Sequence, residues 1–198
     1  MTKILHVQSS PNHESVSRKL AERLLERLKQ KDASIEIITR CLSKSMPLMD
    51  EEAVFANRTP DETKTPRQKE VASFTDTLVD EVLTSNVLVI STPMHNFSIP
   101  AILKTWLDLI VQARRTFRYK PDGSGSEGLA GDRKTYIVIA TGGAQIGSAS
   151  DFISPYLKFI LGFIGITSIE ILGVSGTGLP NAAENIKRAE EQIDALAA

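Results

Sequence analysis

Short apolar runs alternate along this chain with stretches whose apolar residues recur every three or four positions. Lys3–Gln8 (KILHVQ) predicts a first strand, ending at the turn-prone Ser9-Ser10-Pro11-Asn12. Leu20, Leu24 and Leu28, joined by Ala21 and Leu25, then form one stripe at helical spacing with charges opposite. Ser34–Thr39 (SIEIIT) predicts a second strand, followed by a long polar connection through Pro47, Pro60 and Pro66. Val71, Phe74, Leu78 and Val82 mark another helix. Val87–Ser91 (VLVIS) is a third strand, its apolar run too continuous for a sheet covered on one face only.

The next helix has Ile102, Leu103, Trp106, Leu109 and Ile110 as its apolar face, with Pro100 expected in its first turn and Ser98 as its cap. A Gly-rich excursion over 116–133 leads to a fourth strand, Lys134–Thr141, which ends at Gly142-Gly143. Ser154–Ile164 predicts a helix apolar nearly all round, and so one buried on more than one face. Ser168–Val174 is a fifth strand and Asn181–Leu196 a closing helix. Five strands alternating with five helices imply one α/β domain over 1–198, a doubly wound parallel sheet with helices on both faces.

Composition adds exclusions. At 198 residues, 41% hydrophobic and 24% charged, the chain suits one sizeable core. A net charge of -1 offers no bulk attraction to nucleic acid or to an acidic membrane surface. A single cysteine, Cys41, excludes an internal disulfide framework and a thiolate metal cluster. The apolar run at the N-terminus is too short for a signal-peptide core, and no stretch approaches the roughly 18 apolar residues of a membrane span. A soluble, cytoplasmic protein without a metal is expected.

In doubly wound sheets ligands bind beyond the carboxyl ends of the strands, where strand order reverses. Three loops therefore matter. The first, SSPNHESVS, runs from a strand into a helix starting near Ser15 or Ser17. Its hydroxyls (Ser10, Ser15, Ser17) and the free N–H groups of the helix start can surround a phosphate, or the same serines can simply cap the helix. It carries no Lys, no Arg and no GxGxxG, so it is neither a P-loop nor a dinucleotide fingerprint. The second, Met94-His95-Asn96-Phe97, precedes the Pro100 helix and can line a planar heterocycle, Asn96 by hydrogen bonds and Phe97 by stacking. His95 is a candidate proton donor, with no carboxylate or nucleophile beside it in sequence. The third is Ala140-Thr141-Gly142-Gly143, whose paired glycines allow a ligand close to the backbone or make a plain turn.

These segments together resemble the flavodoxin-like FMN-dependent NADH azoreductases, also described as NADH:quinone oxidoreductases. The match spans nearly the whole chain. It is carried by KILHVQSSP with SVS, by TPMHNF, by Leu103-Lys104 with Trp106 and Asp108, by TFRY at Thr116–Tyr119, by EGL at Glu127–Leu129, by Gly142-Gly143, and by PYL with LGFIGI over Pro155–Ile166. The resemblance implies tightly but non-covalently bound FMN, with Ser10, Ser15, Val16 and Ser17 at its phosphate. Met94, His95, Asn96 and Phe97 would line the isoalloxazine ring, and Ala140, Thr141, Gly142 and Gly143 its polar edge. It implies NADH or NADPH as hydride donor, quinones and aromatic azo compounds as acceptors, two-electron ping-pong transfer, and a homodimer whose substrate pocket involves Phe97, Phe117, Tyr119 and Phe163. Two positions depart from the family: Tyr is usual where His95 stands, and Ser-Arg where Ala140-Thr141 stands. The first removes a tyrosine hydroxyl and the second a cation. The competing expectations are a flavodoxin-type electron carrier with no small-molecule substrate of its own, and an esterase. The esterase would need a nucleophile–base pair that neither Cys41 nor any Ser–His–Asp set supplies.

Overall fold

A computed structural model describes residues 1–44, 46, 47 and 49–196. In chain order the elements are β1 (Lys3–Gln8), α1 (Val16–Lys31), β2 (Glu36–Cys41), a 3₁₀ turn (Leu42–Lys44), α2 (Glu51–Arg58), α3 (Pro66–Thr84), β3 (Val87–Pro93), α4 (Ala101–Ile110), β4 (Phe117–Tyr119), β5 (Ser126–Gly128), β6 (Lys134–Ala140), α5 (Ile153–Phe163), β7 (Ile169–Val174) and α6 (Ala182–Leu196). Five strands form one sheet in the order β2-β1-β3-β6-β7, and every neighbouring pair is parallel. The expected doubly wound sheet is present. Its central strands β1, β3 and β6 are buried almost throughout, which explains why their apolar runs are continuous rather than alternating.

Two cores sandwich the sheet. Leu20, Leu24 and Ala21 of α1 meet Ala189 and Ile193 of α6 on one face, against Ile4, Val89 and Val138. On the other, Leu78 and Val82 of α3, Leu103 and Trp106 of α4, and Leu157 and Leu161 of α5 pack on Leu5, Leu88, Ile90 and Ile137. From β1 the chain steps outward to β2, then crosses back to β3 on the far side of β1. Strand order therefore reverses between β1 and β3, and their carboxyl ends are held level by the pairing of Gln8 with Ser91.

Several expectations need correction. The second strand runs over Glu36–Cys41, later than read, because Ser34 is caught in a turn by Asp32, whose Oδ1 accepts from the Ser34 N–H (2.9 Å) and hydroxyl (2.6 Å). The polar connection contains a sixth helix, α2, capped by Asp50 through the Ala53 N–H and carrying Glu51 and Glu52 in its first turn. Within the Gly-rich excursion β4 and β5 pair as an antiparallel hairpin. Pro100 occupies the cap position of α4 rather than its first turn, and Ser98 does not cap it. Finally, α5 buries one face only: Ile153, Leu157 and Leu161 are inside, while Phe159 is 72% exposed.

Candidate functional site

The loops after β1, β3 and β6 converge. Ser9 donates its N–H to the Ser91 carbonyl (3.0 Å), Met94 to Ala140 (2.9 Å) and Thr141 to Val174 (3.0 Å), so each loop leaves the sheet beside the next. Ser10, Ser15, Val16, Met94, His95, Ala140 and Gly142 line one cavity of about 270 Å³ between them.

Its first wall is the start of α1. Ser15 is the cap, with its hydroxyl 3.0 Å from that of Ser17 and accepting weakly from the Arg18 N–H at 3.5 Å. Ser10 Oγ accepts from the Asn12 N–H (3.3 Å), and Asn12 Oδ1 from the Glu14 N–H (2.9 Å), which tightens the loop over the helix end. A helix start leaves its first N–H groups without intrahelical partners, and the helix dipole adds partial positive charge. Ser10, Ser15 and Val16 thus line one small space, while Ser17 is fully buried behind Ser15 and does not line it. Arg18, one residue past the motif, places a guanidinium against the Ser10 carbonyl (Nη2 to O, 3.1 Å) and keeps its buried Nε unpaired.

The second wall is a tight turn. His95 and Ser98 exchange both backbone hydrogen bonds (2.9 and 3.0 Å), and the two residues between them, Asn96 and Phe97, have φ of 48° and 66°. That is the type I′ geometry usually filled by Asn-Gly. A phenylalanine there is strained, and strain of this kind concentrates at functional positions. Ser98 belongs to this turn, two residues before the Pro100 cap position, and so does not cap α4. Asn96 and Phe97 stand out into solvent, Phe97 with 55% of its surface exposed.

The third wall divides. Ala140 and Gly142 line the cavity, whereas the buried Thr141 turns its hydroxyl onto the Ala144 carbonyl. A Cβ at Gly142 or Gly143 would meet nothing within 4 Å, so the space beside this turn is open. The loop after β7 closes the floor: Thr177 donates its N–H (2.9 Å) and hydroxyl (3.0 Å) to the Thr141 carbonyl and also lines the cavity.

Beneath these loops lies His6, 1% exposed, with Nε2 3.1 Å from the Ser91 hydroxyl. Burial, helped by the nearby Arg18 charge, lowers its pKa from 6.5 to about 4, so the imidazole is neutral at physiological pH.

Phe117, Tyr119 and Phe163 gather elsewhere. The Phe117 ring lies 4.8 Å from Phe163 and 5.5 Å, edge-on, from Tyr119. Gly128 and Gly165 make this possible, since a Cβ on Gly128 would stand 2.2 Å from the Gly165 nitrogen, and the hairpin therefore lies directly on the end of α5. The three aromatics line a cavity of about 640 Å³ with Met49, Val54 and Val111. Phe97 lines neither cavity, so the expected substrate pocket is split within one chain.

Residues 2–197 match a protein family described by its flavodoxin-like fold. Over its whole length the chain is 39% identical to the full-length FMN-dependent NADH:quinone oxidoreductase of Erythrobacter litoralis. This chain belongs to the FMN-dependent NADH:quinone oxidoreductase family. Another member, from Thiobacillus denitrificans, is 37% identical over 98% of this chain and 94% of its own. Among solved structures, an FMN-dependent NADH-azoreductase from Bacillus anthracis in complex with FMN superposes with a TM-score of 0.88 at 27% identity, covering 100% of this chain and 98% of its own.

The residues present fit the cofactor this family is named for. The serine-lined helix start suits a phosphate monoester, and the space beside Gly142 and Gly143, across the cavity from His95, is open enough to admit a ring. Asn12 and Thr177, which no motif singles out, also line the cavity, and Arg18 stands behind its first wall. Arg18 adjoins SVS directly and was legible as a cation one position past the motif. Thr177 reaches the site only through its hydrogen bonds to Thr141, which no local pattern announces.

Proposed function

We infer that this protein is an FMN-dependent NADH oxidoreductase that reduces quinones and aromatic azo compounds by two-electron ping-pong transfer. The observation that carries this reading is the convergence of three ligand-suited loops on one cavity where strand order reverses. The family's named activity supports it.

When bound, FMN supplies the redox chemistry, accepting a hydride from the reduced nicotinamide and passing two electrons to the acceptor. The protein's part is placement and charge. Ser10, Ser15, Val16 and Ser17 would hold the phosphate by hydroxyls and first-turn amides, with Arg18 adding positive charge. Met94, His95, Asn96 and Phe97 would line the ring. The backbone at Gly142 and Gly143, whose N–H groups are not spent on the fold as that of Thr141 is, would face its polar edge and supply donors to negative charge there. His95, which lines the cavity, hands a proton to the product.

The active unit in this reading is a cytoplasmic homodimer. Phe97 juts from the ring loop, and the aromatic cavity of Phe117, Tyr119 and Phe163 lies apart from it in the same chain. The exposed face of α5, with Phe159 and the preceding Phe152, supplies apolar surface for a second copy. In this reading, pairing two chains through α5 would set the aromatic cavity of one protomer beside the ring loop of its partner. No helix among the described residues is long and apolar enough to cross a membrane.

Steady NADH-driven reduction of benzoquinone by the purified protein, with no partner protein, tests the function. Turnover with parallel double-reciprocal plots is expected. Reduction of one-electron protein partners without quinone turnover would make it a flavodoxin-type carrier instead.

A further inference from the structure

Among the described residues four side-chain polar atoms are buried without a hydrogen-bond partner: Arg18 Nε, Asn57 Oδ1, Trp106 Nε1 and Gln112 Nε2. Asn57 and Gln112 belong together. Both line the aromatic cavity of about 640 Å³, and both line the adjoining cleft of about 200 Å³, whose other walls include Asp61, Lys64, Asp76 and Arg115. Two amides therefore stand in the partition between an apolar chamber and a charged one.

The backbone of Gln112 is fully engaged. Its N–H donates to Thr116 Oγ1 (2.8 Å), and its carbonyl accepts from the N–H groups of Thr116 (2.9 Å) and Phe117 (3.2 Å). Its side chain is 8% exposed and hydrogen-bonds to nothing among the described residues. Asn57 is likewise fixed in backbone, on α2, and free in side chain. Native proteins leave few buried polar atoms unpaired, because each such atom forfeits its hydration, and those that remain call for an explanation. As the two side chains stand, Asn57 lacks a donor for its oxygen and Gln112 an acceptor for its nitrogen.

What would satisfy both is a group that accepts one hydrogen bond and donates another. A plain quinone carbonyl or azo nitrogen only accepts, and leaves a wall carbonyl unmatched. A primary carboxamide on a flat ring accepts through its oxygen and donates through its nitrogen, while the ring fills the space among Phe117, Tyr119 and Phe163. We propose that Gln112 and Asn57 form an amide-reading wall that makes this cavity select aromatic ligands bearing a primary carboxamide. The proposal deepens the functional reading above, in which this cavity belongs to the catalytic cleft. Two ligands share the chemistry: the nicotinamide of the hydride donor, and an acceptor that itself carries a carboxamide.

The test is calorimetric titration of the FMN-loaded full-length protein with 2-naphthamide and with methyl 2-naphthoate, an ester of similar shape that cannot donate. The amide is expected to bind at least about tenfold tighter, as sites built to hydrogen-bond a donor reject analogues lacking it. In Gln112→Leu and in Asn57→Leu the preference falls toward unity while ester affinity and the circular dichroism spectrum persist. Equal binding of amide and ester by the unaltered protein, or an unchanged preference in both variants, overturns the proposal. Half-reactions then separate the two ligands. If the wall reads the nicotinamide, Gln112→Leu narrows the preference for NADH over reduced 3-acetylpyridine adenine dinucleotide during flavin reduction. If it reads the acceptor, that step is unaffected and the preference for azobenzene-4-carboxamide over azobenzene narrows during reoxidation. Naphthamide binding without any flavin reduction by NADH would remove the reductase reading and leave the amide site standing.

Discussion

The buried imidazole of His6 makes the stability of this fold sensitive to mild acid. Its pKa is lowered from 6.5 to about 4 by burial, with the charge of Arg18 acting the same way, although Glu22 and Glu26 line the small cleft beside it. The unfolded chain takes up this proton near pH 6.5 and the folded chain only near pH 4. Between those values the unfolded state binds more protons, so stability falls as the pH falls. The contribution is whole above pH 6.5, is lost progressively down to about pH 4, and changes no further below that. At about 1.36 kcal/mol per pH unit the full window is worth about 3 kcal/mol, of which about 1.4 kcal/mol is gone by pH 5.5. Carboxylates held low by cations, such as Asp194 between Arg23 and Arg27 and Glu52 beside Arg67, add their own losses near and below their unfolded values of 3.8 and 4.5, under the pH 5.5 at which the comparison stops. Urea unfolding of the apoprotein at pH 7.5 and 5.5 measures the effect directly, with His6→Gln as the control. Glutamine keeps a hydrogen-bonding group near Ser91 but has nothing to titrate, so its stability is expected to change far less over the same interval. A wild-type stability that is flat from pH 7.5 to 5.5, or a variant that falls as steeply, refutes the argument.

Ser15→Ala removes the cap of α1 and one hydroxyl of the phosphate cradle. It is expected to cost about 1 kcal/mol in urea denaturation and to raise the dissociation constant for FMN measured by fluorescence quenching. Phe97→Gly relieves a residue held at φ 66° and should raise or preserve the thermal midpoint, strain of this type being on the order of 1 kcal/mol. The same change slows NADH-dependent bleaching in stopped flow; a lowered midpoint with unaltered bleaching would contradict both halves. Phe159→Glu places a charge on the open face of α5 and should shift sedimentation from twice the chain mass to the single-chain mass of 21.7 kDa, with loss of quinone turnover.

The parts of this molecule legible in sequence are those governed by burial periodicity. Val87–Ser91 and Lys134–Thr141 announce doubly covered strands because both of their faces are buried, and the stripe Leu20, Leu24 marks α1 because only one of its faces is. Local competition hid the rest. The stretch through Pro47, Pro60 and Pro66 reads as a polar connection although Asp50 within it is a working cap, which hides α2. Ser98 has the chemistry of a cap, yet its backbone belongs to the turn with His95. The partition of Asn57 and Gln112 joins residues far apart in sequence and leaves no periodic trace. Asn96 and Phe97 stand out in the sequence as candidates for a ligand loop, but their left-handed geometry does not, since phenylalanine is an unexpected occupant of such a turn.

Whether a flavin held by the loops after β1, β3 and β6 is reduced there by NADH is tested most directly by an anaerobic titration of the FMN-reconstituted protein with NADH, followed at the flavin's own absorbance. Loss of the oxidised flavin bands with one equivalent of NADH per bound FMN, and their return on adding one equivalent of benzoquinone, is the predicted result. Protein that retains FMN but leaves its spectrum unchanged under excess NADH would contradict the account.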